Sequence, residues 1–76
     1  MGIRKPEPFQ VKGLNGKGAI PIGGVLVGGS VFGVINLSTG SNDNANFEST
    51  ISVFGQIQQT STANLSGNEY YIYVVG

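Results

Sequence analysis

The chain has 76 residues, no cysteine, no histidine, and four cationic against four acidic residues, for zero net charge. Without Cys there is no disulfide framework and no thiolate metal site, and without His the commonest general base and transition-metal ligand is missing. A domain this small buries only about 60% of its unfolded surface, and its core supplies roughly 3–5 kcal/mol by itself, so support from partner subunits is expected.

The charges are segregated. Arg4, Lys5, Lys12 and Lys17, opposed only by Glu7, precede Gly18, whereas Asp43, Glu48 and Glu69 follow it. Residues 1–8 read as an extended basic arm, because Pro6 and Pro8 exclude regular helix and remove two backbone donors. The arm is expected to lie on the acidic body of a neighbouring copy. No apolar signal-peptide core follows it, and Pro6 stands where N-myristoylation wants Ser or Thr. Four cations without interleaved aromatics are a poor phosphate footprint, so nucleic acid is disfavoured as a partner.

Residues 9–76 read as one small β domain. "FQVKGLNGKGAIPI" predicts a hairpin turning at Asn15-Gly16. Short strands are expected near Ala19–Ile22 and Val25–Val27, with the glycine pairs 23–24 and 28–29 as turns or bulges. The charge-free segment Gly18–Leu37 has the length of a membrane-spanning helix and two G-x-x-x-G spacings. However, six of its twenty residues are Gly, one is Pro, and most of the rest are β-branched. An internal repeat also favours strand. "SVFGVI" (30–35) recurs as "SVFGQI" (52–57), each followed downstream by "NLS" (36–38 and 64–66). The second copy carries Gln56, Gln58 and Gln59 with Glu48 upstream, a composition no membrane span tolerates.

A strand is therefore predicted over Val31–Leu37, with Val31, Gly33, Ile35 and Leu37 on one face. Ser38–Asn46 is a polar loop. A second long strand is expected from Phe47 to about Gln59, bent at Gly55, with Ile51, Val53, Gly55 and Ile57 sharing a face. "EYYIYVV" (69–75) is the strongest strand signal. Tyr70, Ile72 and Val74 fall on one face and Tyr71, Tyr73 and Val75 on the other, so both faces are apolar and one of them is expected to meet a neighbouring subunit. The last three strands predict an antiparallel meander. The fold class is all-β: a small antiparallel sandwich or barrel-like meander with an extended N-terminal arm, completed by oligomerisation.

No catalytic constellation emerges. No His is present to activate a serine, and the four carboxylates fall in no acid–base motif. The glycine runs lack the G-K-[ST] end of a phosphate loop. Asn42–Glu48 has oxygen ligands at alternate positions but lacks the EF-hand glycine. The two Asn-Leu-Ser triplets are N-glycosylation sequons, meaningful only on an export pathway. Neither a cofactor, a metal nor a small-molecule substrate is expected, and the chain is read as non-enzymatic.

This low-charge, Gly/Ser/Thr/Asn/Gln-rich, strand-forming chain resembles the small virion structural proteins of tailed bacteriophages, such as capsid decoration or cement proteins and short tail components. The resemblance spans the whole chain and is one of composition and architecture. It implies a location in the virion and binding to self and to a major capsid or tail protein, without chemistry. Arg4, Lys5, Phe9, Tyr70, Tyr71 and Tyr73 are the candidate interface residues. The alternatives are a membrane-associated protein using Gly18–Leu37, with the membrane a minor partner, and an extracellular fibre or adhesin subunit using strand edges.

Overall fold

A computed structural model describes residues 8–75. The chain is all-β, with five antiparallel strands in two sheets and one short 3₁₀ turn, Asn44–Asn46. The strands are β1 (Phe9–Lys12), β2 (Gly18–Pro21), β3 (Ser30–Asn36), β4 (Gln56–Gln59) and β5 (Glu69–Val75). One sheet has the order β1-β5-β3 and the other pairs β2 with β4. No described helix is long and apolar enough to cross a membrane. Gly18–Leu37 instead forms β2, a glycine-rich loop and β3.

The two sheets share one core of Ile20, Ile22, Val25, Val31, Val34, Phe47, Ile51, Ile57, Tyr70 and Ile72. Aromatic and β-branched side chains dominate it, as expected for residues that fill a pleated surface. Phe47 packs edge-on against Tyr70 with ring centroids 5.1 Å apart. Residues 41–50 lace the sheets together along their outer edges. Val31 N donates to Ser49 O and Asp43 N to Val34 O on the β3 side. On the β4 side, Glu48 N donates to Gln58 O and Thr60 N to Asn46 O.

The hairpin expected at Asn15-Gly16 does not form. β1 pairs with β5, and β2 pairs with β4. Gln59, fully buried, explains the parting. Its Oε1 accepts from Leu14 N at 2.7 Å, and its Nε2 donates to the carbonyls of Leu14, Ser61 and Ala63. Leu65 N donates to Leu14 O, and Gly16 N to Ala63 O. The backbone groups of residues 13–16 are thus satisfied by residues 59–68, and the chain crosses between sheets instead of folding back.

The meander is likewise replaced, because β5 lies between β1 and β3 while β4 belongs to the other sheet. The strand from Phe47 shrinks to Gln56–Gln59, and Val25–Val27 is loop. In β3 the register slips between Val31 and Gly33, leaving Phe32 as a bulge. A bulge shifts the face of every residue after it. Val34 and Asn36 therefore point inward with Val31, in place of the expected Ile35 and Leu37, and Leu37 is exposed.

The repeat divides in two. Ser30–Gly33 begins a strand, whereas Ser52–Gly55 makes a turn with Gly55 at φ 77°. The "NLS" halves do share a structure. Asn36 Oδ1 accepts from Ser38 N, and Asn64 Oδ1 accepts from Ser66 N. Both are Asx turns, the local motif that favours Asn at chain reversals.

Candidate interaction surface

The apolar surface is built by two loops that stand side by side. Residues 22–29, "IGGVLVGG", leave β2, and residues 51–55, "ISVFG", enter β4. Gly55 N donates to Val25 O at 2.9 Å, Gly28 N to Ile51 O at 2.9 Å and Ile51 N to Gly29 O at 2.8 Å. Gly23, Gly24, Gly28 and Gly55 take positive φ, the conformations that let each loop reverse tightly.

Each loop sinks apolar anchors into the core: Ile22 and Val25 from the first, Ile51 from the second. Each then presents two adjacent apolar side chains outward. Leu26 and Val27 are 57% and 63% exposed, and Val53 and Phe54 are 45% and 62% exposed. No charged residue occurs from 18 to 42 or from 49 to 68. The nearest carboxylate in sequence, Glu48, is turned to Ser52 Oγ at 2.7 Å and Gln58 N at 2.9 Å. Exposed apolar groups set close together in this way make the loop tips the candidate contact surface among the described residues.

The loop pair meets the three-stranded sheet at the Val75 end of β5, on its core side and not on its outer face. Gly29 lies against Val74 and Val75 at the end of β5. On that outer face Tyr73 sits opposite Gly33, and its ring is 5.7 Å from that of the bulged Phe32. Tyr71 lies between Ile35 and Gln10. The polar end of the face carries the Gln10 Nε2 to Glu69 Oε1 bond, 2.7 Å long.

The six candidate interface residues therefore divide. Tyr71 and Tyr73 are half-buried on the outer face. Phe9 is half-buried on the core side of β1, opposite Ile72. Tyr70 is a core residue with no exposed surface, so its ring is closed to any partner of the folded chain. Arg4 and Lys5 lie outside the described residues. Leu26, Val27, Val53 and Phe54 escaped sequence reasoning because period-two alternation assigned them to strands. The signals that could have found them are the glycine pairs at 23–24 and 28–29 and the single Gly55, which bound two apolar dipeptides.

Few groups are placed for chemistry. Among the described residues no three of His, Cys, Asp or Glu gather at one point. The oxygens of 42–48 are turned to donors of the chain itself: Asn42 Oδ1 accepts from Asn44 N, Asp43 Oδ2 from Asn36 Nδ2, and Asn44 Oδ1 from Val34 N. The Tyr70 hydroxyl is buried without a hydrogen-bond partner. Burial pushes its pKa above the usual tyrosine value and the negative Asp43 adds to the shift; the Asn68 side chain lies near enough to oppose it but does not reach hydrogen-bond geometry with the hydroxyl. No family model, curated protein or solved structure matches this chain.

Proposed function

We propose that this chain is a non-enzymatic structural protein of a viral, tailed-phage particle, a decoration or cement protein that stabilises a lattice by protein–protein contact. It acts with further copies of itself and with a major capsid or tail protein. The observation that carries this reading is the charge-free pair of loop tips, Leu26-Val27 and Val53-Phe54, held rigidly by backbone hydrogen bonds and left exposed. Rigid apolar anchors lose little freedom on docking, and a few such anchors supply most of an interface's energy.

The test is the mass of the native assembly. Fractionated by size from the producing cells, the wild-type chain is expected in a megadalton particle. The double variant Val27→Asp, Phe54→Asp is expected as free small protein with an unchanged β circular-dichroism spectrum. A wild-type chain found only as free monomer overturns the proposal.

The same tips favour a second reading, a membrane-associated protein that dips two apolar loops into a bilayer. Co-sedimentation of the wild-type chain with neutral phosphatidylcholine vesicles, lost in the double variant, would select it.

A further inference from the structure

Of the seven asparagines, only Asn15 is followed by glycine. Every other one precedes a residue whose Cβ crowds the approach of the next backbone nitrogen to the asparagine side chain. We infer that Asn15 is a self-modification site of this chain, closed by the fold and open to reaction only when residues 13–16 part from residues 59–68. The reaction needs water and no other partner. The Gly16 backbone nitrogen attacks Asn15 Cγ. A bond forms between them, the Cγ–Nδ2 bond breaks, and ammonia leaves with the proton that Gly16 N gives up. The product is a cyclic imide. Water then adds to one of its two carbonyl carbons, the bond from that carbon to the ring nitrogen breaks, and the nitrogen regains a proton. Breaking the bond to Cγ leaves aspartate. Breaking the bond to the main-chain carbonyl carbon leaves isoaspartate, whose backbone runs through Cβ and Cγ and is one carbon longer.

In the folded chain the attacking nitrogen is engaged. Gly16 N donates to Ala63 O at 3.1 Å, Asn15 pairs with Asn64 in an antiparallel bridge, and Leu65 N donates to Leu14 O at 2.7 Å. On the near side, Leu14 N is held by Gln59 Oε1 at 2.7 Å and Gly13 N by Asn68 O at 3.1 Å. To reach Cγ, Gly16 N must turn away from Ala63 O, and its neighbours hold the backbone against that turn. The Asn15 side chain is itself exposed, so access of water does not limit the reaction. Conversion in the folded protein therefore follows the fraction of molecules in which this clasp stands open.

The modification also keeps the clasp from closing again. Leu14 O accepts from both Leu65 N and Gln59 Nε2. While it keeps those bonds, the extra carbon of an isoaspartate pushes Gly16 N out of reach of Ala63 O. A chain that stays open long enough to react loses the crossing that joins the two sheets. Asn15 thus marks, irreversibly, chains that failed to fold promptly.

The experiment incubates the purified full chain in mildly alkaline buffer, one portion native and one in guanidinium chloride. Conversion of each asparagine is read by peptide mass spectrometry, isoaspartate by enzymatic methylation, and exchange of the Gly16 amide hydrogen is followed in the native portion. In denaturant, Asn15 is expected to convert before the other six. In native buffer its conversion should be at least about tenfold slower, as for an opening populated a tenth of the time or less, and Gly16 exchange should be slowed to match. Gln59→Met keeps the side chain's length and removes its hydrogen bonds, so it should speed both native rates together, up to the denatured rate if the variant unfolds. Isoaspartate chains returned to native buffer should stay protease-sensitive while unconverted chains regain resistance. The inference is overturned by native conversion as fast as in denaturant, by another asparagine converting first in denaturant, by unchanged rates in Gln59→Met, by a Gly16 amide that exchanges freely while Asn15 is protected, or by isoaspartate chains that refold like the parent.

Discussion

Tyr70 places a full ring in the core and leaves its hydroxyl without a partner. An unmet buried donor costs desolvation, whereas a ring of the same shape without it does not. Tyr70→Phe is therefore expected to match the parent or exceed it by up to about 1 kcal/mol in urea unfolding at pH 7. Tyr70→Ala should lose about 3–5 kcal/mol, enough to unfold a domain of this size. The raised Tyr70 pKa gives the pH dependence its sign. The folded state holds the proton more tightly than the unfolded state, so this stability is complete below the unfolded value near 10 and drains as pH rises beyond it. Between pH 8 and pH 11 the parent should lose more stability than Tyr70→Phe; equal losses would remove Tyr70 as the cause. Gly13 is a second residue with a single reason. A Cβ there would run into the Leu65 carbonyl oxygen and stand 2.6 Å from Leu65 Cβ. Gly13→Ala should cost on the order of 1–3 kcal/mol through that overpacking, read as a lower urea midpoint.

At the scale of elements, the repeated "SVFG" shows how four residues take the conformation their neighbours impose. Gly33 lies in a strand, and a Cβ there would meet the Tyr73 side chain, its ring at 3.3 Å and its Cβ in ordinary contact at 3.6 Å. Gly55 turns the chain at φ 77° with open space around it. Gly55→Ala should cost about 1–2 kcal/mol from the left-handed backbone alone. Gly33→Ala should stay close to the parent, since the entropy gain of about 0.4–1 kcal/mol offsets the ring's small shift. Thermal melts of the two variants decide this, and a Gly33→Ala loss as large as that of Gly55→Ala would contradict it. The same pair marks what was legible in the sequence. β5 was readable to the residue, because seven strand formers in a row leave no competing pattern. β2 and β3 were readable to within one or two residues, but the turn at 36–38 was not, because alternation carries the strand reading through Leu37. The bulge at Phe32 was not, because it arises from how β3 meets β5. Nor was the crossing at residues 13–16, set by the Gln59 side chain 45 positions away. The loop tips were hidden for a related reason: alternation shows that a residue can face a core, and the tertiary fold decides whether a core is there.

For the whole molecule, the open strand edges limit how copies meet. Among the described residues, the outer edges of β1 and β2 have no strand partner. β1 is four residues long and carries Lys12; β2 is four residues long and ends in Pro21, which has no N–H to donate. Short length, Lys and Pro are the features that discourage edge-to-edge growth. On the proposed reading the loops, not these edges, are the contact surface, and blunted edges suit docking on a lattice better than polymerising as a fibre. Lys12→Val with Pro21→Val should form concentration-dependent assemblies by light scattering at loadings where the parent stays clear. A parent that forms fibrils by itself would restore the fibre reading.

The position of β5 also governs how the chain matures at the ribosome. β5 follows the other described strands in the chain and is the one that both β1 and β3 pair with, so no part of the three-stranded sheet can close until residues 69–75 have left the exit tunnel. Until then Val31, Val34 and Phe47 have no Tyr70 or Ile72 to pack on. Closure of the three-stranded sheet is thus a late event in synthesis, after β2 and β4 are already available to pair. Chains stalled with residue 68 just outside the tunnel should be degraded by added protease, and chains stalled after residue 75 has emerged should resist it.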